Sequence, residues 1–483
     1  MADKEYSQYD SFTVPGHWWL PGKTDRVAGE LRYDAGDLTL RLFGAFHKTE
    51  GNTPFDHRPE ELEVDVIHGE SFSLKPITAF KAFYTSWRSS ERDFWSTKPA
   101  EMNSSALRVH AVLIGKHLQN LQHQRYAKCR IQLRNLEGWL ADSPFKHSDH
   151  TADGWNTQYV RPKIREYELP APFNLLQIKS STCGSSMPPM NRYEIVHQSN
   201  VFVQPSEPQP LQWYADVVGV LQQLLTLLAG KPMQTEREWL YADKDSDGSL
   251  LYYNRHNINQ KEDYGPSDFL FRYPDIEDHF SNILSVWLTK RDMIRHAVNL
   301  FFSSLREPGA FLESRFLPMV QVLEVYTRAD EQQTYIDPKE YGETQPRIES
   351  AIPTDIDKEL RSAIIRKLEY ANEYSLRMRL RRLVETLQPE TVELFCKDAK
   401  AFVGGVVDTR NYLTHYSTDS YPILQGKDIY WATVKLRTMF SVILLKWIGL
   451  PETLIRERAQ EDYSLGQERE QWTTARESGI FNV

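Results

Sequence analysis

Alternating hydrophobic and polar residues dominate roughly the first 275 positions of the chain and predict β-strands. Residues 29–33 and 38–44 alternate on either side of a short turn at Gly36, which predicts a β-hairpin. Further strand patterns lie at residues 62–68, 107–114, 193–203, 239–242 and 249–254. Strands at this spacing are typical of an antiparallel sandwich or barrel. One helix interrupts them at residues 211–229, where apolar residues keep helical spacing until Gly230.

From about residue 276 the apolar residues recur at the spacing of an α-helix. Helical patterns lie at residues 280–305, 311–328, 354–387, 390–416, 427–448 and 452–462. Pro308, Pro353 and Pro389 fall between these segments, where helix-breaking residues are expected. We therefore predict an α+β protein. A β-rich region, sandwich or barrel-like, spans residues 1–275, an all-α bundle of five or six helices spans residues 276–465, and a polar tail spans residues 466–483.

Composition narrows the class of protein. A chain of 483 residues that is 40% hydrophobic and 25% charged is typical of a soluble globular protein with two to four domains. The net charge of −9 argues against general electrostatic capture of nucleic acid, although a local basic groove stays open. The three cysteines lie far apart and exclude a disulfide framework. The charged first residues argue against a signal peptide, and no apolar run is long enough to span a membrane, so we expect a cytoplasmic protein.

The polar segment 408–416, inside an apolar helical pattern, is the sharpest chemical feature of the sequence. Asn411 and His415 are four residues apart and therefore share one face of a helix. Arg410 is five residues before His415, so its Cβ points about 140° away around an ideal helix. The long arginine side chain, or a bend at Gly404 and Gly405, would have to bring the guanidinium back.

These residue types suit the cleavage of RNA without a metal ion. Because imidazole titrates near neutral pH, histidine can take the proton of a ribose 2′-OH or give one to the leaving 5′-oxygen. Arg410 can bind two phosphate oxygens and stabilise the negative charge of the transition state. Asn411 can orient the imidazole or the phosphate. Attack by the 2′-oxygen leaves a 2′,3′-cyclic phosphate. One site usually needs an acid and a base, so a lone His415 needs a second copy from a symmetric dimer.

The segment from Arg410 to His415 resembles the motif of HEPN-domain proteins, in which Arg is followed by a polar residue and, a few residues later, by His. Residues 16–22, 29–33 and 111–117 resemble the ApeA family, and residues 315–328 resemble an early helix of its HEPN domain. The resemblance implies a bacterial anti-phage protein that acts by abortive infection. It also implies a C-terminal endoribonuclease that dimerises so that two motifs face each other.

The residues and the resemblance together give a set of candidate site residues and partners; the resemblance covers Arg410, Asn411 and His415 and, through a looser helix pattern, Glu324 and Arg328. The catalytic candidates are Arg410, Asn411 and His415. Possible supporting residues are Glu324, Arg328, Asp408 and Tyr416. A candidate RNA-binding rim consists of Arg377, Arg379, Arg381 and Arg382. We expect RNA as substrate, a second copy of the chain as partner through the HEPN domain, and a phage-derived trigger. We expect no cofactor, no metal ion and no membrane.

Several alternatives stay open from the sequence. The segment from Arg410 to His415 could be an ordinary buried helix whose His bonds a carbonyl and whose Arg pairs with Asp408 or Asp398. The HEPN fold could dimerise and bind RNA or protein without cutting, or the chain could be a ligand sensor whose chemistry lies elsewhere. The arginines from 377 to 382 could be a solvated helix face instead of an RNA rim.

Other motifs carry weaker signals. Residues 243–248 copy the first half of an EF-hand calcium loop, but Asn254 stands where a bidentate Glu is needed and the flanks read as strands, so we predict a hairpin turn. The histidine pairs lack a third ligand at a convincing spacing; they are His147 with His150 and His117 with His123. The aromatic segment 16–22 either faces a ligand or anchors the edge of the β core. The sequence contains no phosphate-binding glycine loop, nucleophile elbow or kinase signature.

Overall fold

The chain divides into two compact units, Met1–Ile276 and Glu277–Val483. The computed structural model describes residues 5–34, 36–46, 62–72, 75–89, 102–120, 124–147, 157–187, 192–243, 247–254, 262–305, 311–329, 334–415 and 424–461.

Six strands of the first unit close into an antiparallel barrel. They are β1 (Phe12–Trp19), β2 (Val27–Asp34), β3 (Asp37–Leu42), β4 (Glu63–Ser71), β5 (Pro76–Ser89) and β6 (Met102–Ile114). Neighbours pair in the order β1-β2-β3-β6-β5-β4, and β4 pairs back with β1. The β2–β3 pair, with Gly29 opposite Leu42, is the predicted hairpin. Inward-facing apolar side chains such as Trp18, Leu31 and Leu107 are fully buried and fill the barrel.

Further strands extend this sheet beyond the barrel. They are β7 (Arg125–Tyr126), β8 (Lys128–Leu133), β9 (Phe145–His147), β10 (Thr157–Tyr159), β11 (Arg165–Glu168), β12 (Phe173–Met187), β13 (Arg192–Pro205), β14 (Gln209–Pro210), β15 (Thr235–Tyr241) and β16 (Ser249–Tyr253). The end of β6 pairs with β16, and the sheet continues through β15, β8, β13 and β12 to β11. The pairs β9–β10 and β7–β14 form separate small sheets.

Two helices accompany the strands of the first unit, α1 (Leu136–Leu140) and α2 (Leu211–Ala229). Helix α2 ends at Gly230, whose φ of 67° is the left-handed conformation that glycine adopts at low cost, as predicted. The connection from β15 to β16 carries the segment that resembles half a calcium loop. Trp239 pairs antiparallel with Leu250, so the segment joins two strands and not the two helices of an EF-hand. Residues 244–246 of the segment lie outside the described residues.

The second unit is helical. Its helices are α3 (Tyr273–Lys290, which begins just before the boundary), α4 (Arg295–Ser304), α5 (Leu312–Arg328), α6 (Pro338–Ala351), α7 (Lys358–Leu368), α8 (Leu376–Glu385), α9 (Pro389–Val392), α10 (Ala399–His415), α11 (Lys427–Trp447) and α12 (Glu452–Glu461). Phe440 of α11 packs its ring against Phe301 of α4 and Tyr326 of α5, with centroids 5.0 and 5.6 Å apart. This aromatic core fixes α5, which carries part of the candidate site.

The prediction of five or six helices is wrong, because the described part of the helical region contains ten, α3 to α12, and several predicted segments are divided. A 3₁₀ turn at Arg291–Ile294 splits the predicted helix 280–305, and the predicted helix 354–387 is two helices, α7 and α8. The second break has a clear cause. The Asn372 side chain accepts a hydrogen bond from the Ile336 amide (3.0 Å) and donates one to the Ile336 carbonyl (2.9 Å). These bonds tie the segment before α8 to the segment before α6, so the helix cannot continue.

The fold class predicted from the sequence is confirmed: a β-rich unit with a closed antiparallel barrel precedes an all-α unit. None of the described helices combines the length and apolar character needed to cross a lipid bilayer.

Candidate functional site

Helix α10 presents the polar motif at its C-terminal end. The Asp398 side chain accepts a hydrogen bond from the Ala401 amide (2.9 Å) and so caps the start of the helix. One face of the helix is buried through apolar residues that include Phe402 and Val406. This buried face fixes the orientation of the helix, and Arg410, which is not part of it, is half-buried at the surface. Asp398 serves as a cap and is not the partner of Arg410.

The Arg410 guanidinium is bound on two sides. Its Nη2 donates to Glu324 Oε2 of α5 at 3.2 Å, and its Nη1 donates to Asn411 Oδ1 at 3.2 Å. The Arg410 and Glu324 side chains are 30% and 21% exposed, so the ion pair is partly shielded from water. The contact joins α10 to α5 and leaves other guanidinium N–H groups for a ligand.

Glu324 belongs to a longer series of ion pairs. Its Oε1 accepts a hydrogen bond from Arg328 Nη2 at 3.3 Å, and Arg328 Nη1 lies 3.4 Å from Glu373 Oε2. The same Glu373 oxygen accepts a hydrogen bond from Arg379 Nη2 at 2.9 Å. Positive and negative side chains therefore alternate from Arg410 to Arg379. The sequence pattern gave no reason to single out Glu373, which lies between two helices.

Asp408 binds a different arginine. Its Oδ1 accepts a hydrogen bond from Arg377 Nη2 of α8 at 2.6 Å, and its side chain is 13% exposed. Arg377 passes so close to Gly404 that a Cβ there would lie 3.3 Å from Arg377 Nη1. The alternative in which Asp408 or Asp398 pairs with Arg410 is therefore wrong, since the carboxylate that forms an ion pair with Arg410 is Glu324.

His415 is the last residue of α10 and is exposed. It makes no hydrogen bond or ion pair with any residue in the described part of the chain. The alternative in which this histidine is buried and bonded to a carbonyl is wrong. Asn411 is exposed too, whereas Tyr416 lies outside the described residues.

Arg410 lies at the edge of an open cleft of about 510 Å³ between α5 and α10. The residues that line it are Leu317, Gln321, Glu324, Val325, Arg328, Arg410 and Thr414. His415 is not among them, so one chain does not bring the guanidinium and the imidazole into the same cleft. The cleft holds two cationic side chains and one carboxylate, which favours an anionic ligand.

The four arginines of α8 do not act as one surface. Arg379 is only 4% exposed, and its Nε also donates to the Tyr374 carbonyl at 2.8 Å. It is therefore a buried structural residue, and its assignment to the RNA-binding rim is corrected. Arg377 is paired with Asp408, Arg381 is half-buried, and Arg382 is exposed. Because Arg379 is buried, the four arginines form neither one solvated face nor one continuous rim, and RNA binding by Arg377, Arg381 and Arg382 stays a prediction.

The tryptophans of the aromatic segment 16–22 take structural places in the barrel. Trp18 is fully buried in the core, and Trp19 packs edge-on against His68 and His117, with ring centroids 6.0 and 5.2 Å apart. The His117 Nε2 lies 2.8 Å from the Gly69 carbonyl. His123 and His150 lie outside the described residues. In the part of the chain that the structure describes, no three His, Cys, Asp or Glu side chains form a cluster that could hold a metal ion.

Comparisons with known families match most of the chain. The family model described as ApeA N-terminal domain 1 matches residues 14–287, and the model described as Apea-like HEPN matches residues 317–454. The second match includes Glu324, Arg410 and His415. No curated protein and no solved structure gives a significant match.

Proposed function

The chain belongs to the ApeA family, with an Apea-like HEPN domain, and from this premise we propose that it is a metal-independent endoribonuclease of anti-phage abortive infection. The family supports a HEPN nuclease-type role in defence. The proposal rests mainly on helix α10, which carries an arginine held in place by other side chains and, five residues later, an exposed histidine. Arg410 is oriented by Glu324 and Asn411, while His415 is exposed and unbonded among the described residues.

Arg410 is proposed to bind the phosphate that is cut. A guanidinium has five N–H donors, and the contacts with Glu324 and Asn411 use one from each terminal nitrogen. The remaining donors can bind phosphate oxygens and stabilise the negative charge that grows in the transition state. Glu324 then acts as a positioning residue, and Arg328 shares its carboxylate.

His415 is proposed to transfer the proton. A neutral His415 takes the proton from the ribose 2′-OH, the 2′-oxygen attacks phosphorus, and the bond to the 5′-oxygen breaks. A protonated His415 of a second copy gives its proton to that leaving oxygen. The products are a 2′,3′-cyclic phosphate and a free 5′-hydroxyl. The absence of His415 from the Arg410 cleft is consistent with a site completed across a dimer.

We propose that the helical region, about residues 276–465, cuts RNA. The β-rich region, about residues 1–275, is proposed to sense a phage-derived trigger or to restrain the nuclease. The exposed position of His415 leaves it available to a partner copy and to RNA.

Mixed variants test the composite site. Arg410→Ala and His415→Ala chains, each inactive alone, should recover part of the cleavage activity when they are mixed and exchange subunits. The mixed dimer keeps one Arg410 and one His415, so charge stabilisation and one of the two proton transfers are retained. The readout is cleavage of a fluorescent RNA, with subunit exchange verified by differently tagged chains. Mixed dimers that form and stay inactive would remove the composite site from the account.

The second candidate is a HEPN module that dimerises and binds RNA or protein without cutting. It is favoured by the existing ion pair of Arg410 with Glu324, which already satisfies part of the guanidinium. In that case purified protein would bind RNA, and the His415→Ala variant would bind it equally well. The bound RNA would be recovered intact from both proteins.

A further inference from the structure

A second cavity of the helical unit lies on the other side of α5 from Arg410. It has a volume of about 790 Å³ and shares no lining residue with the Arg410 cleft. Tyr326 and Thr327 of α5 line this cavity, whereas Glu324 and Arg328 of the same helix line the cleft. Cavities of roughly 300–1,000 Å³ are the size that holds small-molecule ligands.

The lining of this cavity combines rings, apolar side chains and positive charge. Tyr326 and Trp447 supply aromatic rings, and Leu383 and Ile443 supply part of the apolar wall. The charged lining residues are Arg379, Arg382, Lys446 and Glu385. Positive charge exceeds negative charge, so the lining suits a ligand with a flat ring and an anionic group.

One cation of the lining is available to such a ligand. Arg379 and Lys446 already bind acidic side chains of the chain, at 2.9 and 2.5 Å. Arg382 is exposed and forms no ion pair with any acid among the described residues. Its guanidinium lies 4.2 Å from the centre of the Tyr374 ring, and this cation–π contact holds the side chain in place without an acidic partner.

We infer that this cavity, called the effector cavity below, binds a nucleotide. The base packs against the rings of Trp447 and Tyr326, and the phosphate binds Arg382. A free nucleotide and the 5′-phosphorylated end of an RNA share this chemistry, and the experiment below separates them. Thr327 and Thr386 add hydroxyl groups to the lining.

The effector cavity is connected to Arg410 through the ion pairs described above, and this part of the inference rests on the proposed function. Arg379 lines the cavity and binds Glu373, Glu373 contacts Arg328, and Arg328 binds Glu324. Because Arg379 lines the same cavity as Arg382, a phosphate bound to Arg382 also attracts Arg379 and weakens its bond to Glu373. Glu373 then binds Arg328 more strongly, and Glu324 is left to Arg410. Because Glu324 positions Arg410 for phosphate in the proposed mechanism, a bound nucleotide is expected to speed RNA cleavage.

The binding experiment uses the full chain and a fluorescent ADP derivative, followed by anisotropy. Saturable binding is expected, and Arg382→Gln should weaken it roughly 10-fold to 100-fold because a charge-assisted contact to phosphate is lost. The matched control is Arg381→Gln, which removes a charge from the same helix outside the cavity and should leave the affinity unchanged. No saturable binding, or an equal loss in both variants, overturns the inference.

Competition identifies the source of the ligand. Displacement by unlabelled ADP but not by a 5′-phosphorylated RNA trinucleotide indicates a free nucleotide, and the reverse indicates an RNA end. Cleavage of a long RNA is then measured with and without ADP. If ADP binds through Arg382 and cleavage is unchanged, the ion-pair coupling is overturned while the binding site stands. Loss of binding leaves the proposed nuclease function untouched, so the two failures are distinguishable.

Discussion

The Arg410→Lys substitution tests whether the shape of the guanidinium, and not its charge alone, is needed. The wild-type side chain contacts Glu324 and Asn411 through different nitrogens, 3.2 Å each. A lysine ammonium is a single point that can retain the ion pair with Glu324 but cannot at the same time offer two parallel bonds to phosphate. We therefore expect a large loss of activity with little loss of stability.

The magnitude follows from these contacts. Losing one charge-assisted hydrogen bond to phosphate, together with the fixed orientation, costs about 2–4 kcal/mol of transition-state stabilisation. This corresponds to a roughly 30-fold to 1,000-fold lower kcat/KM. The ion pair with Glu324 is partly exposed and is worth at most about 1 kcal/mol, so Tm should change by less than about 3 °C.

The assay is cleavage of a fluorescent RNA under conditions in which the wild-type protein cuts, with Tm measured on the same preparations. Arg328→Lys is the matched control, because Arg328 shares the Glu324 carboxylate but is 55% exposed. Its kcat/KM should fall by less than about fivefold, since its ion pairs are solvent-screened. The guanidinium shape is not needed if Arg410→Lys keeps kcat/KM within about threefold of wild type, or if both variants lose the same fraction of kcat/KM.

Two further predictions concern the first unit. Burial lowers the pKa of His68, so the folded state binds a proton there less readily than the unfolded state does. The free energy of unfolding is therefore unaffected by His68 above the ordinary histidine pKa near 6.5. It falls as the pH drops below that value. Denaturation at several pH values should show this fall in the free energy of unfolding for the wild type and a smaller fall for His68→Gln. An equal fall in both proteins would contradict the role of His68. Gly69→Ala places a Cβ 2.3 Å from the Trp18 ring and should lower stability by roughly 1–3 kcal/mol. Gly219→Ala has no neighbour within 4 Å and should raise it by up to about 1 kcal/mol in the same denaturation series; the opposite order would refute the packing argument.

Local patterns predicted much of the fold because they act through near neighbours. The hairpin at residues 29–44 and the helix that ends at Gly230 depend on a turn and a stop signal a few residues long. Closure of the barrel depends on pairs distant in sequence, such as β1 with β4. The break between α7 and α8 depends on Asn372 binding Ile336, and no glycine or proline marks it.

The sequence predicted which residues carry the candidate site, but it did not predict which side chains bind them. Helical spacing placed Arg410 and His415 on one helix with different directions, and the structure agrees. The spacing could not tell that Glu324, on another helix, would bind Arg410 while the nearer Asp408 binds Arg377. It also could not separate buried Arg379 from exposed Arg382, because both lie on one polar stretch and differ only in what packs against them.

Cleavage in the presence of a chelator shows whether His415 transfers the proton without a metal ion. RNA is incubated with wild-type protein and with His415→Ala in excess EDTA, and the ends of the fragments are analysed. The wild-type protein is expected to cut in the chelator and to leave 2′,3′-cyclic phosphates, and His415→Ala is expected to be at least about 100-fold slower. Equal cutting by the variant, or cutting that stops in EDTA, would contradict the account.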